Sequence, residues 1–209
     1  DAMDDMETMG LAFGSLAGEF VRVKVTPEID AIRFAKYATN AGTIVAATLT
    51  NKTTVSAIAT AEVDMEEKEV ALNNCVLFMT PTVYGYVKDD TEHFQRTLVP
   101  SENPNRNFGS FDEMPIAKVP QSRFYTAVTT LSGKDEQAAG GFAKAEGAKD
   151  INFMIIDRAS VIQLIKHGKI RVFDPDTNQS ADAYKVDYRI YHDAWVLDNK
   201  KNGIYCHTK

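Results

Sequence analysis

Starting at Met6, the apolar positions Met9, Phe13, Leu16, Phe20 and Val23 follow one another at spacings of three, four, three, four and three. That period keeps them on one stripe of a helix, so residues 1–25 are predicted to form a long amphipathic helix that buries this stripe. On a neighbouring face Gly10, Gly14 and Gly18 recur every four residues. An interior glycine gives up about 1 kcal/mol of helix propensity relative to alanine, so the groove implies a backbone or helix packed closely against it. A bulky Gly14→Leu replacement is then expected to lower stability. Asp4, Asp5, Glu7 and Glu19 on the same segment exclude a lipid-buried helix pair. Pro27 lacks a backbone donor and disfavours helix at Thr26, which predicts a stop near Val25. A second helix follows, with Thr26 as its cap and Pro27 at its first position, reaching about Tyr37.

Further along, residues 43–49 read as a strand, 53–72 as an Ala- and Glu-rich helix, and 75–79 as a compact apolar strand. Thr80-Pro81 repeats the cap-then-proline pattern and opens a short helix through Val87. Pro100, Asn103, Pro104, Asn105 and Asn107, then Met114-Pro115 and Val119-Pro120, leave room for short strands only. The Gly-, Ala- and Lys-rich residues 132–149 read as an irregular loop. Order resumes with a buried strand at 151–156, and Asp157 is placed to cap a helix through Ile165. Residues 169–173 form a strand. Between 183 and 197, Tyr184, Val186, Tyr188, Ile190 and His192 alternate against Lys185, Asp187, Arg189 and Tyr191, the period of a long two-faced strand. A turn at 198–203 then returns 204–207 as the arm of a hairpin. There is no internal repeat.

Composition narrows the class. The 209 residues are 44% hydrophobic and 25% charged, the mix of a globular protein rather than of a disordered or collagen-like chain. The net charge of −6 argues against a polyanion coat or an anionic-membrane binder. No apolar run approaches the ~20 residues of a membrane span. Cys75 and Cys206, far apart, read as free thiols in a reducing cytoplasm. The chain opens inside a predicted helix, which implies residues upstream in the whole protein.

Motifs for phosphate, dinucleotide, zinc or serine-hydrolase chemistry are absent from the sequence. Asp174, Asp176, Asn178, Ser180 and Asp182 imitate a calcium loop, but Gln179 and Lys185 occupy the positions that need glycine and a bidentate glutamate, so the segment reads as an Asx-rich connection. Cys75, Cys206 and His207 would make a zinc site only if distant segments converged with a fourth ligand. The histidines are scattered at 93, 167, 192 and 207. His192 and Asp193 are consecutive in a strand and point to opposite faces, so a hydrolase built on His192 with Asp174 or Asp176 would need a deep pocket. Trp195 and the tyrosines at 184, 188 and 191 lack the interleaved basic residues of a base-stacking platform and read as packing residues. No catalytic, metal or cofactor residue is expected. Gly10, Gly14, Gly18, Tyr188 and Trp195 are the expected packing or subunit-interface residues.

One resemblance is specific. Residues 170–197, from Ile170-Arg171-Val172-Phe173-Asp174-Pro175 through Tyr184-Lys185-Val186-Asp187-Tyr188 to Trp195-Val196-Leu197, with the following turn and Ile204-Tyr205, resemble the C-terminal end of tailed-bacteriophage major capsid proteins. Gly18-Glu19-Phe20 with Val25-Thr26-Pro27-Glu28-Ile29-Asp30, Val76-Leu77-Phe78-Met79-Thr80-Pro81, and Met114-Pro115-Ile116 leading to Val119-Pro120-Gln121-Ser122-Arg123-Phe124 resemble that family's blocks in the same order. The resemblance implies an α+β chain of the Hong Kong 97 phage-type capsid fold. Residues 1–45 and 176–209 would form a peripheral domain with residues 1–25 as its spine helix, and 46–175 an axial domain. The family's N-terminal arm and extended loop have no counterpart here. The implied role is a virion subunit that assembles with itself into pentamers and hexamers in the bacterial cytoplasm, alongside scaffold, portal and decoration proteins. No cofactor, specific nucleic acid or membrane is implied. An encapsulin-like compartment shell protein would share the fold.

Overall fold

The computed structural model describes residues 11–88, 94–98, 107–112, 114–134, 137, 140–173, 176–179 and 185–209. Helix α1 (Leu11–Phe20) passes through a π turn (Val21–Val25) directly into α2 (Thr26–Thr39), so the expected break at Pro27 does not occur. Proline in a regular helix removes a donor and drives its ring into the carbonyl four residues back. Here the turn before it is widened: the Thr26 N–H reaches back five residues to the Val21 carbonyl, and the Thr26 hydroxyl donates to the same oxygen at 3.1 Å. Thr26 therefore has helical angles and is not a cap. A π turn is a short, local way to keep a helix running past an obstacle.

The chain divides into two compact units, Asp1–Asp30 with Gln163–Asp193, and Ala31–Ile162 with Ala194–Lys209. This is a partition by contact within the chain, whereas the expected peripheral and axial segments are defined by place in a shell.

The larger unit is built on strands β1 (Thr43–Ala46), β2 (Cys75–Met79), β3 (Phe94–Leu98), β4 (Asn107–Phe111), β5 (Met114–Lys118), β8 (Ile151–Asp157) and β11 (Ile204–Thr208). Among the described residues they form one mixed sheet in the order β1-β11-β8-β2-β5-β4-β3. The β1–β11 and β2–β5 pairs are parallel, and the other neighbouring pairs of this sheet antiparallel. Its centre reads directly from the chain. Ile151 to Ile156 are all buried, as is every residue of β11, and a strand buried on both faces must have a layer on each. Phe34, Tyr37 and Ala38 of α2 cover one face, with Phe34 edge-on to Phe124 at 4.9 Å and to Phe78 at 5.3 Å. Helices α3 (Thr54–Glu66) and α4 (Pro81–Lys88) cover the other through Ile58, Ala61 and Met65, and Val83 and Val87. The Thr80 hydroxyl accepts from the Val83 N–H at the start of α4, as its position before Pro81 predicts. Gly42 lies where a Cβ would come within 2.6 Å of the Lys201 carbonyl oxygen, so only glycine fits there.

Five other local expectations are corrected. The strand expected at 43–49 stops at Ala46, and the helix expected at 53–72 ends at Glu66. After it, the Val70 N–H bonds the Met65 carbonyl and Glu69 takes φ +61°, a left-handed helix end with glutamate where glycine is usual. Within 132–149, Gly141–Lys144 is strand β7, paired antiparallel with β6 (Val128–Leu131). Asp157 does cap, accepting from the Ala159 N–H, but only the single 3-10 turn Arg158–Ser160 follows before β9 (Val161–Phe173). Val161, Ile162, Ile165, Ile170 and Val172 are β-branched and favour the pleated chain over the helix. Finally, β11 is not a hairpin arm of β10 (Lys185–Val196): it lies between β1 and β8. Burial decides this, because β11 is apolar enough to need neighbours on both edges and both faces.

The smaller unit holds α1, the π turn and most of the two-stranded ribbon formed by β9 and β10. No helix of the described residues is long and apolar enough to cross a membrane.

Candidate functional site

The sheet of the larger unit keeps its two cysteines apart. Cys75 packs with the α3 and α4 side of the sheet and Cys206 with the α2 side, so the two thiols and His207 cannot share a metal. Burial pushes the Cys75 thiol up to about 11 and the Cys206 thiol up to about 12, which keeps both protonated and poor nucleophiles. His207 is buried and stacks on Phe153 at 4.8 Å. The Asn152 amide Nδ2 donates to the Ala47 carbonyl at 3.1 Å and to His207 Nδ1 at 3.2 Å, so that ring nitrogen is an acceptor and the imidazole is neutral. Asp174, Ser180, Asp182, Tyr184 and His93 lie outside the described residues. Among the described residues no group of three or more His, Cys, Asp or Glu side chains is placed to hold a metal.

What the smaller unit carries instead is uncovered apolar surface. The stripe predicted to be buried is open: Leu16 is 64% exposed, Phe20 50% and Val23 46%. On the ribbon, Leu164, Ile165, Ile170 and Val172 are exposed as well. Between them Leu16, Ala17, Phe20, Val21, Ile170 and Tyr188 line a groove of about 220 Å³. A Cβ added at Gly14 or Gly18 would meet no atom within 4 Å, so nothing among the described residues fills the groove at these two positions; Gly10 lies outside the described residues. Tyr188 is half-buried in the groove wall, while Trp195, in the other unit, is 48% exposed. Contiguous apolar surface of this kind marks a place where another molecule binds. The helical stripe was visible in the sequence, but period alone does not say whether its cover comes from the same chain or from another. Ile170, from a distant strand, had no sequence signal linking it to Leu16.

No protein-family model and no curated protein matches the chain. Solved structures do match it, among them the following three. One from Mycobacterium phage Che8 has a TM-score of 0.57 at 10% identity, covering 99% of this chain and 66% of its own. The asymmetric unit of the bacteriophage PhiM1 mature capsid scores 0.53 at 11% identity, covering 87% and 60%. The capsid structure of the cyanophage P-SCSP1u scores 0.59 at 13% identity, covering 100% and 68%. This chain thus spans about two thirds of the length of the structures it matches. At such low identity the likeness speaks of fold alone, and on that it is plain: the helix, the mixed sheet and the long ribbon make up the tailed-phage capsid fold.

Proposed function

We propose that this chain is a major capsid subunit, which assembles with copies of itself into the icosahedral head shell of a tailed bacteriophage and acts without catalysis. The observation that carries the reading is the likeness to phage capsid structures over essentially the whole of this chain. The uncovered stripe Leu16, Phe20 and Val23 supports it, since a shell subunit keeps apolar faces that neighbours cover. In this reading residues 1–45 and 176–209 are the peripheral part and 46–175 the axial part, and Gly14, Gly18, Tyr188 and Trp195 lie at or near subunit contacts. Assembly takes place in the host cytoplasm, with scaffold, portal and decoration proteins as further partners. The test is expression from the complete reading frame, followed by sedimentation and electron microscopy. Rings of five and six subunits or closed shells are expected. A protein that stays monomeric at high micromolar concentration overturns the reading, and closed shells filled with a protein cargo move it to a compartment shell.

A further inference from the structure

Ile170 of β9 and Tyr188 of β10 line the same groove, so they share one face of the ribbon. Side chains alternate along a strand, which turns Lys169 and Arg171, and Asp187 and Arg189, to the opposite face. Lys185 belongs to that face as well, with its Nζ 5.8 Å over the Phe173 ring. Five charged residues of this face are exposed, four cations against one carboxylate in a chain whose net charge is −6, and the half-buried Asp193 further along the same face already has a partner. Asp187 is 3.7 Å from Lys185. Among the described residues Lys169, Arg171 and Arg189 have no acidic partner, and the Arg189 guanidinium lies 4.7 Å over the exposed Tyr191 ring.

A complementary surface lies on the other unit. Glu66, Glu67 and Glu69 are exposed at the C-terminal end of α3, where the helix dipole is already negative. Lys68, the nearest cation in sequence, is taken by Asp64 at 2.6 Å. Among the described residues the three glutamates have no basic partner. Exposed Val63 shares a helix face with Glu66 and Glu67, as Tyr191 shares a strand face with Arg189. Each surface thus pairs unanswered charge with one apolar side chain.

We infer that the basic ribbon face of one copy docks on the acidic end of α3 of a second copy. The two surfaces differ, so the contact is head-to-tail, the kind that closes into rings. The inference deepens the capsid-subunit reading and rests on it. A nucleic-acid backbone would answer the ribbon alone, would leave the three glutamates unanswered, and gains nothing from a chain whose net charge is −6.

The test uses protein expressed from the complete reading frame in three forms: Lys169→Glu/Arg171→Glu/Arg189→Glu, Glu66→Lys/Glu67→Lys/Glu69→Lys, and the chain carrying all six changes. Association is read by sedimentation velocity at low and high salt, with circular dichroism to establish folding and bound nucleic acid measured by absorbance. Each triple variant is expected to associate at least tenfold more weakly than the unaltered chain, and the six-fold exchange to recover association to within about threefold. Neutral Gln replacements at the same positions serve if a reversed variant does not fold, with a smaller loss expected from both sets. Unchanged association in either triple variant overturns the inference, as does failure of the exchange to recover it. A ribbon variant that loses only bound nucleic acid reassigns the face to that partner. If the unaltered chain does not associate at all, it is the capsid-subunit reading that falls.

Discussion

His207 is locked neutral by its surroundings. The Asn152 amide is oriented by the Ala47 carbonyl, which can only accept, so it presents a donor to Nδ1, and a proton there would set N–H against N–H. Burial alone already lowers its pKa below the usual histidine value. With the folded pKa depressed, the unfolded chain binds the extra proton first as pH falls below about 6.5. Stability is then full above that pH and declines below it, by up to about 1.4 kcal/mol per pH unit until the folded ring itself titrates. Urea melts from pH 7.5 to 5 should follow this slope, and His207→Gln should flatten it; an equally steep slope in the variant would place the titration elsewhere. This site was only partly legible in sequence. Cys206-His207 could be weighed as a metal pair only if distant segments converged, whereas the register that brings Asn152 to His207 depends on the β8–β11 pairing, which includes an irregularity at His207 and Thr208.

At the scale of elements, α1 stands out because its predicted core stripe and its glycine groove are both open. With no atom near a Cβ at Gly14, packing does not oppose a side chain there, and helix propensity alone decides the sign. Gly14→Ala should therefore raise the melting temperature of the unassembled chain, by the equivalent of up to about 1 kcal/mol. The loss expected for the bulkier Gly14→Leu presupposed a neighbour packed on the groove, and a clear drop in the Gly14→Ala melt would put one there. The passage through Pro27 makes a related point. Residue preferences marked the obstacle correctly, but whether a chain stops there or widens by one residue depends on what holds the segments either side, and Phe34, Tyr37 and Ala38 are held by the sheet. Likewise Asp157 signalled a cap, and the β-branched residues after it limited the helix to one turn.

For the whole molecule, stability is expected to be uneven. The larger unit has strands buried on both faces, whereas β9 is exposed along most of its length and α1 shows its apolar side to solvent. Native-state hydrogen exchange should leave the β8 and β11 amides protected longest, with those of β9 and β10 between 163 and 193 exchanging at least tenfold faster in the unassembled chain. Uniform protection would mean that the smaller unit gains its stability from contacts other than burial. Where order begins, and of which kind, could be read from local signals written in residues a few positions apart: the apolar runs at 75–79 and 151–156, the Thr80-Pro81 start of α4 and the alternation along β10. The family resemblance was likewise carried by contiguous blocks. Which strands pair, that β11 enters the sheet between β1 and β8, that the helix continues past Pro27, and which apolar surfaces stay uncovered were set by packing in three dimensions. Those outcomes depend on burial shared between residues far apart in the chain, and a short stretch of sequence specifies what a segment would bury without specifying what will bury it.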